Sequence, residues 1–374
     1  MASRKIISIL FNPLSYYPPT INALQHLAQT KQFNIFSIST GKFDLELNLP
    51  VPIIIKSIQK SNYFKGKLGS FLHFAKFLLN SVIAIRKLKP DFILLYDDYS
   101  LLVFFIYNKL FSIKGVLWYH NHDIATASES RFSLNYWAII ANKSLMKKID
   151  IFTYPSIERM PHYNLNEFYG KKYFLPNYPS KIIFKNTNYK KNQNSKKLSL
   201  IYQGRVSDGH GLLEIIKSLQ YRQNIDLTII GEQEPKFIIA LKNCIKELNL
   251  ESRVYLIPPI GSYFDLVEFA KSYDVGIAIN VPQSVHYSTA ATASNKIYEY
   301  PAMGMPILYY DNKHYNKYLS KYKWAFPTDL TIENILNILD VCIDQKKELG
   351  ELAFREFNES LNFGVAFSEF LNEI

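Results

Sequence analysis

Cysteine is nearly absent. Cys244 and Cys342 are the only two in 374 residues. They lie far apart with no Cys-x-x-Cys spacing, which excludes a disulfide framework and a cysteine-built metal site and fits a reducing compartment. They read as buried small hydrophobes. Charge is also sparse: 20% of residues are charged against 48% hydrophobic, which excludes a disordered chain. Long apolar runs are missing. Leu101 to Ile113 is broken by Asn108 and Lys109 and falls short of the roughly 20 residues that a membrane span needs. The apolar run Ile6 to Phe11 is too short for a signal peptide and ends at Asn12-Pro13. The expectation is a soluble or peripheral protein. No strong internal repeat and no Asp-x-Asp motif is found; Asp97 and Asp98 are adjacent and fit a helix cap.

The length fits two domains. The net charge of +11 is unevenly distributed. The first 178 residues carry 21 Lys and Arg against 10 Asp and Glu, whereas the remainder carries 22 of each. Between Lys56 and Lys114 ten basic residues face three acids, interleaved with Tyr63, Phe64, Phe71, Phe74, Phe77 and Leu78. Such a stretch suits an anionic membrane surface, a solvated basic face or nucleic acid. No nucleic-acid motif accompanies it, so the expected partner is a membrane surface and not nucleic acid.

Apolar strands alternate with amphipathic helices. In the N-terminal half the strands are expected at Ile6–Phe11, Asn34–Ile38, Pro52–Ile55, Phe92–Tyr96, Val116–Tyr119 and Ile151–Thr153. Helices fall at Thr20–Gln29, Phe71–Leu88, Leu101–Phe111 and Asn135–Lys147. This pattern predicts a parallel sheet covered on both faces. It stops at Leu175-Pro176-Asn177-Tyr178-Pro179, and the segment Lys181 to Lys197 holds six lysines, four asparagines and no acid, as in a linker or exposed loop. Strands resume at Leu198–Tyr202, Leu227–Gly231, Val254–Ile257, Val275–Ile279 and Ile307–Tyr310. The fold class is therefore α/β, with two Rossmann-like doubly wound domains facing a cleft. The expected divisions are residues 1–178, 179–350 and a C-terminal helical segment 351–374. Ligands in such sheets bind beyond the carboxyl ends of the strands.

The segment from Ser294 to Leu308 reads as a short helix, a Gly-Met-Pro turn and a buried strand. Lys296 and Glu299 stand three residues apart, on one side of the helix. They form either a surface ion pair or a site: an ammonium at a helix N-terminus suits a phosphate, and a carboxylate one turn on suits sugar hydroxyls. Gly204 and Gly211 bracket a loop between a strand and a helix. This is either an ordinary turn or a phosphate cradle in which Arg205 clamps a diphosphate. Trp118 to Asp123 follows a strand and presents His120 and His122, as site residues or as a structural turn. Two histidines so spaced also fit a metal site, but no third ligand is in view, and no metal is expected. Tyr16 and Tyr17 lie in the first loop, where aromatics stack on sugars or simply pack.

Four motifs together resemble the GT-B glycosyltransferases of the large retaining family 4 (glycosyl transferases group 1). They are the Ser294 to Pro306 segment, similar to the family's PNKxxEYxxxGxPV; Tyr202 to Leu212; Leu227 to Gly231; and Leu175 to Pro179. The likeness spans most of the chain and is specific over residues 175–310.

The resemblance implies a metal-independent, retaining glycosyltransferase that uses a nucleoside-diphosphate sugar and no cofactor. Its expected acceptor is a growing, lipid-linked cell-surface glycan, and its expected place is the inner face of the cytoplasmic membrane. Arg205, Lys296 and His122 become the catalytic set, with Arg205 and Lys296 on the diphosphate. Gly204, His210, Gly231, Ser294, Asn295 and Glu299 become donor-binding, Glu299 on the ribose. Tyr16, Tyr17 and His120 become acceptor-binding. The family's first glutamate is replaced by Ala291, which leaves Ser288, Thr289 or backbone N–H groups to hold the sugar. Its loop lysine is replaced by His210. By analogy the last helix returns to the first domain; the alternative is packing on the second. A nucleotide-sugar epimerase or a non-catalytic scaffold of the same fold are the alternative functions.

Overall fold

The computed structural model describes residues 3–14, 17–41, 52–60, 66–112, 115–122, 124, 130–131, 133–184 and 197–373. Tyr16, expected to meet the acceptor, lies outside them. The chain divides into two compact units, Met1–Pro176 with Ala366–Ile374, and Asn177–Val365.

The first unit runs β1 (Arg4–Pro13), α1 (Pro18–Gln29), β2 (Phe33–Thr40), β3 (Ile53–Ile58), α2 (Gly66–Leu88), β4 (Phe92–Leu95), α3 (Asp98–Leu110), β5 (Val116–His120), α4 (Leu134–Leu145), β6 (Ile151–Tyr154) and β7 (Lys171–Phe174). Its sheet has the order β3-β2-β1-β4-β5-β6-β7, and every pairing is parallel. The central strands are apolar throughout because helices cover both faces. Ile7, Ile9, Ile93 and Leu95 pack against Phe74, Phe77, Leu101, Phe104, Ala138 and Leu145 of α2, α3 and α4.

The second unit runs β8 (Leu198–Gln203), α5 (Leu212–Leu219), β9 (Ile225–Ile230), α6 (Pro235–Glu247), β10 (Val254–Ile257), α7 (Tyr263–Ala270), β11 (Val275–Ile277), α8 (Val285–Ser288), α9 (Asn295–Ala302), β12 (Ile307–Tyr310), α10 (Lys313–Leu319), β13 (Ala325–Thr328), α11 (Ile332–Asp344) and α12 (Lys346–Glu359). Its sheet order is β10-β9-β8-β11-β12-β13, again all parallel. The last helix, α13 (Phe363–Leu371), ends in the first unit, where Phe367 and Phe370 lie 6.1 and 4.8 Å from the Trp118 ring.

Each sheet reverses its strand order once, between β1 and β4 and between β8 and β11. Such a reversal opens a crevice at the carboxyl ends of those strands.

Two strands went unread in the sequence, β7 and β13. Each has four residues, KKYF and AFPT, and each closes a sheet edge, where polar residues and proline are tolerated and the apolar run disappears. The helix α2 is also longer than expected. Its stretch Leu68–Leu88 is long and apolar enough to cross a membrane, which the interruptions Lys76 and Asn80 disguise. It lies on the sheet instead, with Phe74, Phe77, Ser81, Ala84 and Ile85 buried.

Asp97 secures the reversal in the first unit. Its Oδ1 accepts from the Ser100 amide at 2.6 Å, which caps α3, and its Oδ2 accepts from the Phe11 amide at 2.8 Å, which ties β1 to β4. Asp97→Ala removes a cap and strands the Phe11 N–H. It should lower unfolding free energy by about 2–4 kcal/mol in urea titrations; a smaller loss would mean that water satisfies the freed amides.

Candidate functional site

In the second unit the site begins at the end of β8. The chain leaves the sheet through Gly204 (φ +135°) and the exposed Arg205. Gly231 follows β9 with φ +143°, and a Cβ there would stand 1.6 Å from the Gly204 carbonyl oxygen. The two loops therefore touch backbone to backbone, and Gly231 serves that approach. Gly211, at φ +64°, begins α5 without a side-chain cap, and Ser294 begins α9 without one. Both helices keep first-turn N–H groups available to an anion. Ser294 and Asn295 are half-buried at that turn.

The helix α9 is stitched to β8. The Gln203 amide donates to the Tyr300 hydroxyl at 3.0 Å, and the Gln203 side chain donates to Glu299 Oε2 at 2.6 Å. The Tyr263 hydroxyl donates to Glu299 Oε1 at 2.6 Å. Glu299 is 3% exposed, so the surface ion pair is ruled out. Burial pushes its carboxyl well above the usual range, against the two donors and Lys296, which favour the anion. The Gln203 Oε1 is buried and has no hydrogen-bond partner among the described residues.

Lys296 is half-buried, with its ammonium 4.4 Å from the centre of the Tyr202 ring. Among the described residues it makes no ion pair. Burial pushes its pKa down to about 7, and Glu299 only partly offsets this. The Tyr202 hydroxyl donates to the Arg205 carbonyl at 2.6 Å. Tyr202 thus links the two residues expected on the diphosphate: the ammonium rests on its ring and the backbone of Arg205 on its hydroxyl.

His210 packs 5.3 Å from the same ring. Its Nδ1 lies 3.1 Å from the Ile279 carbonyl, which can only accept, so Nδ1 carries the proton. Burial first, and Lys296 second, push its pKa down to about 3. His210 is therefore neutral and cannot replace a loop lysine as a charge. Ala291 is packed into the apolar core. The Ser288 and Thr289 hydroxyls donate to the Val285 carbonyl at 3.2 and 2.6 Å, so their protons are committed within the turn.

In the first unit, residues at the ends of β4 and β5 gather around His122. Its ring stacks on Tyr96 (5.4 Å, 5°), meets Tyr17 edge-on at 4.9 Å and lies 4.4 Å from His120. Its carbonyl accepts from the buried Arg159 Nη1 at 2.8 Å. His120 is fully buried, 2.6 Å from the Thr153 hydroxyl, and burial pushes its pKa down to about 3. It supports His122 from beneath.

Sequence reasoning overlooked Tyr96, Tyr202 and Gln203, although each stands at or beside the end of a central strand, which was the available signal. Tyr263 and Arg159 carried none, because they reach the site only through folding.

No family model matches the chain, and no curated protein matches it. Solved structures do. Sucrose-phosphate synthase from Thermosynechococcus elongatus matches with TM-score 0.68 and 12% identity over 99% of each chain. Anabaena HepE in complex with UDP matches with TM-score 0.65 and 14% identity over 99% of this chain and 100% of that one. The lipopolysaccharide outer core galactosyltransferase WaaB matches with TM-score 0.59 and 16% identity over 99% and 100%. The chain has the GT-B fold.

Gly231→Ala should lower the melting temperature by several degrees, since no L side chain fits against the Gly204 carbonyl at that φ. An unchanged melting curve would mean that the two loops separate freely.

Proposed function

We propose that the protein is a glycosyltransferase that moves a sugar from a nucleoside diphosphate to a growing, lipid-linked cell-surface glycan. The observation that carries this reading is the ammonium of Lys296, in no ion pair among the described residues and held on Tyr202 at the uncapped first turn of α9. A diphosphate supplies the missing negative charge. The exposed Arg205 adds a permanent cation, and the loop from Gly204 to Gly211 adds backbone N–H groups. HepE, of the same fold, is known with UDP, and WaaB, also of that fold, acts on a lipopolysaccharide core, which supports a glycan acceptor.

In this reading Glu299 takes a ribose hydroxyl, since each oxygen has accepted one hydrogen bond from protein and keeps a lone pair. Gln203 Oε1 offers a further acceptor, and neutral His210 can accept at Nε2 without charge. His122, between Tyr17 and Tyr96, serves the reaction centre and the acceptor. Arg205 and Lys296 stabilise the leaving diphosphate, which makes a metal unnecessary. Anomeric retention rests on the resemblance.

Thermal-shift titration with UDP, GDP, ADP and CMP should show stabilisation by one nucleoside diphosphate. Arg205→Ala and Lys296→Ala should each weaken it at least about tenfold, the scale of one hydrogen bond to a charged group. Flat traces across the panel would favour the scaffold. Sugar transfer that survives EDTA, without interconversion of epimers, would exclude the epimerase and a required metal.

The affinity should also depend on pH. Free Lys296 titrates near 7, and a bound diphosphate favours its ammonium. Binding then takes up a proton above neutrality, and affinity falls as pH rises from about 7 to 9. Lys296→Arg should flatten this profile; a wild-type affinity independent of pH would remove Lys296 from the diphosphate.

A further inference from the structure

Outside this site, the most unusual surface is the outer face of α2. Only 28% of the apolar stretch Leu68–Leu88 is buried. Its inner side chains Phe74, Phe77, Ala84 and Ile85 fill the core, so the helix lies flat on the sheet. The opposite side is apolar as well. Leu68, Phe71, Leu72, Leu79 and Ile83 are exposed by 39 to 61%, at helical spacing along one stripe. Lys76, Arg86 and Lys87 are exposed along the same helix, and α2 contains no acidic residue.

The stripe continues onto α3. Arg86 lies 4.3 Å over the Phe111 ring, just beyond the end of α3, where Leu110 is 65% exposed. Lys109 then joins Lys143, Lys147 and Lys148 around an open cavity, whose one acid, Glu167, pairs with Lys147 at 3.5 Å. Contiguous exposed apolar side chains rarely persist on a soluble surface without a partner. The predominantly positive rim indicates that the partner is anionic.

We propose that this face docks the protein onto an anionic lipid bilayer. The helix α2 lies in the interfacial plane, inserting Phe71, Leu72, Leu79 and Ile83 among the acyl chains. Lys76, Arg86 and Lys87 meet phosphate headgroups. Docking does not require the glycosyltransferase reading and is read out separately from nucleotide binding.

The full chain should co-sediment with vesicles of phosphatidylcholine containing about 30 mol% phosphatidylglycerol, not with phosphatidylcholine alone, and added salt should weaken binding. The native cysteines are buried. An environment-sensitive dye on Leu79→Cys should therefore label selectively and report transfer to an apolar medium. Leu72→Glu with Leu79→Glu should cut vesicle binding at least about tenfold, and so should Lys76→Glu with Lys87→Glu, each without moving the nucleotide-induced thermal shift. Absent binding, or equal binding to both vesicle types, would overturn the proposal. So would a dimer in light scattering that Leu79→Glu dissolves, since a second copy would then cover the face.

Discussion

The second unit depends on one buried carboxylate at the ends of its strands. Glu299, within α9, accepts hydrogen bonds from Gln203 at the end of β8 and from Tyr263 at the start of α7. Burying a carboxylate is costly unless donors surround it, so these partners must stay in place. Together with the bond from the Gln203 amide to Tyr300, they fix the second turn of α9 against the strand end. Lys296, one turn earlier, rests on the Tyr202 ring. A lysine on a free helix would be solvated and fully charged. This one is partly stripped of water and makes no ion pair among the described residues, which makes it receptive to an anion.

The first unit uses the same strand order for a different surface. Asp97 joins the ends of β1 and β4 where the order reverses. The neighbouring Tyr96 and the residues after β5 place His122 against two tyrosines, with Arg159 bonded to its backbone. One unit thus carries an aromatic cluster around a histidine, and the other carries Lys296 and Arg205. That division follows from which side chains each sheet presents at its carboxyl edge, since the two topologies agree in the order of their first six strands.

Much of the architecture was legible because fully buried parallel strands must be apolar throughout. Strands such as β1, β4, β8 and β9 stand out for this reason. The edge strands β7 and β13 did not, because they are covered less and carry Lys171, Lys172 and Pro327. The full apolar length of α2 was hidden for a related reason: Lys76 and Asn80 interrupt the run in sequence while leaving the helix intact. At the site, the spacing of Lys296 and Glu299 was informative, but it served a surface ion pair equally well. The burial of Glu299 separated the two readings.

By itself, the sequence determined the alternation of strands and helices, the glycine turns after β8 and β9, and the confinement of net positive charge to the first half. These follow from local periodicity and composition. The tertiary structure alone decided the charge states and partners at the site. Gln203 meets Glu299 across 96 residues, and Tyr263 meets it across 36. Those contacts hold Glu299 in its buried place, and burial in the folded chain lowers the pKa values of His210 and Lys296. Protonation responds to burial and neighbouring charge, and both are properties of the folded chain.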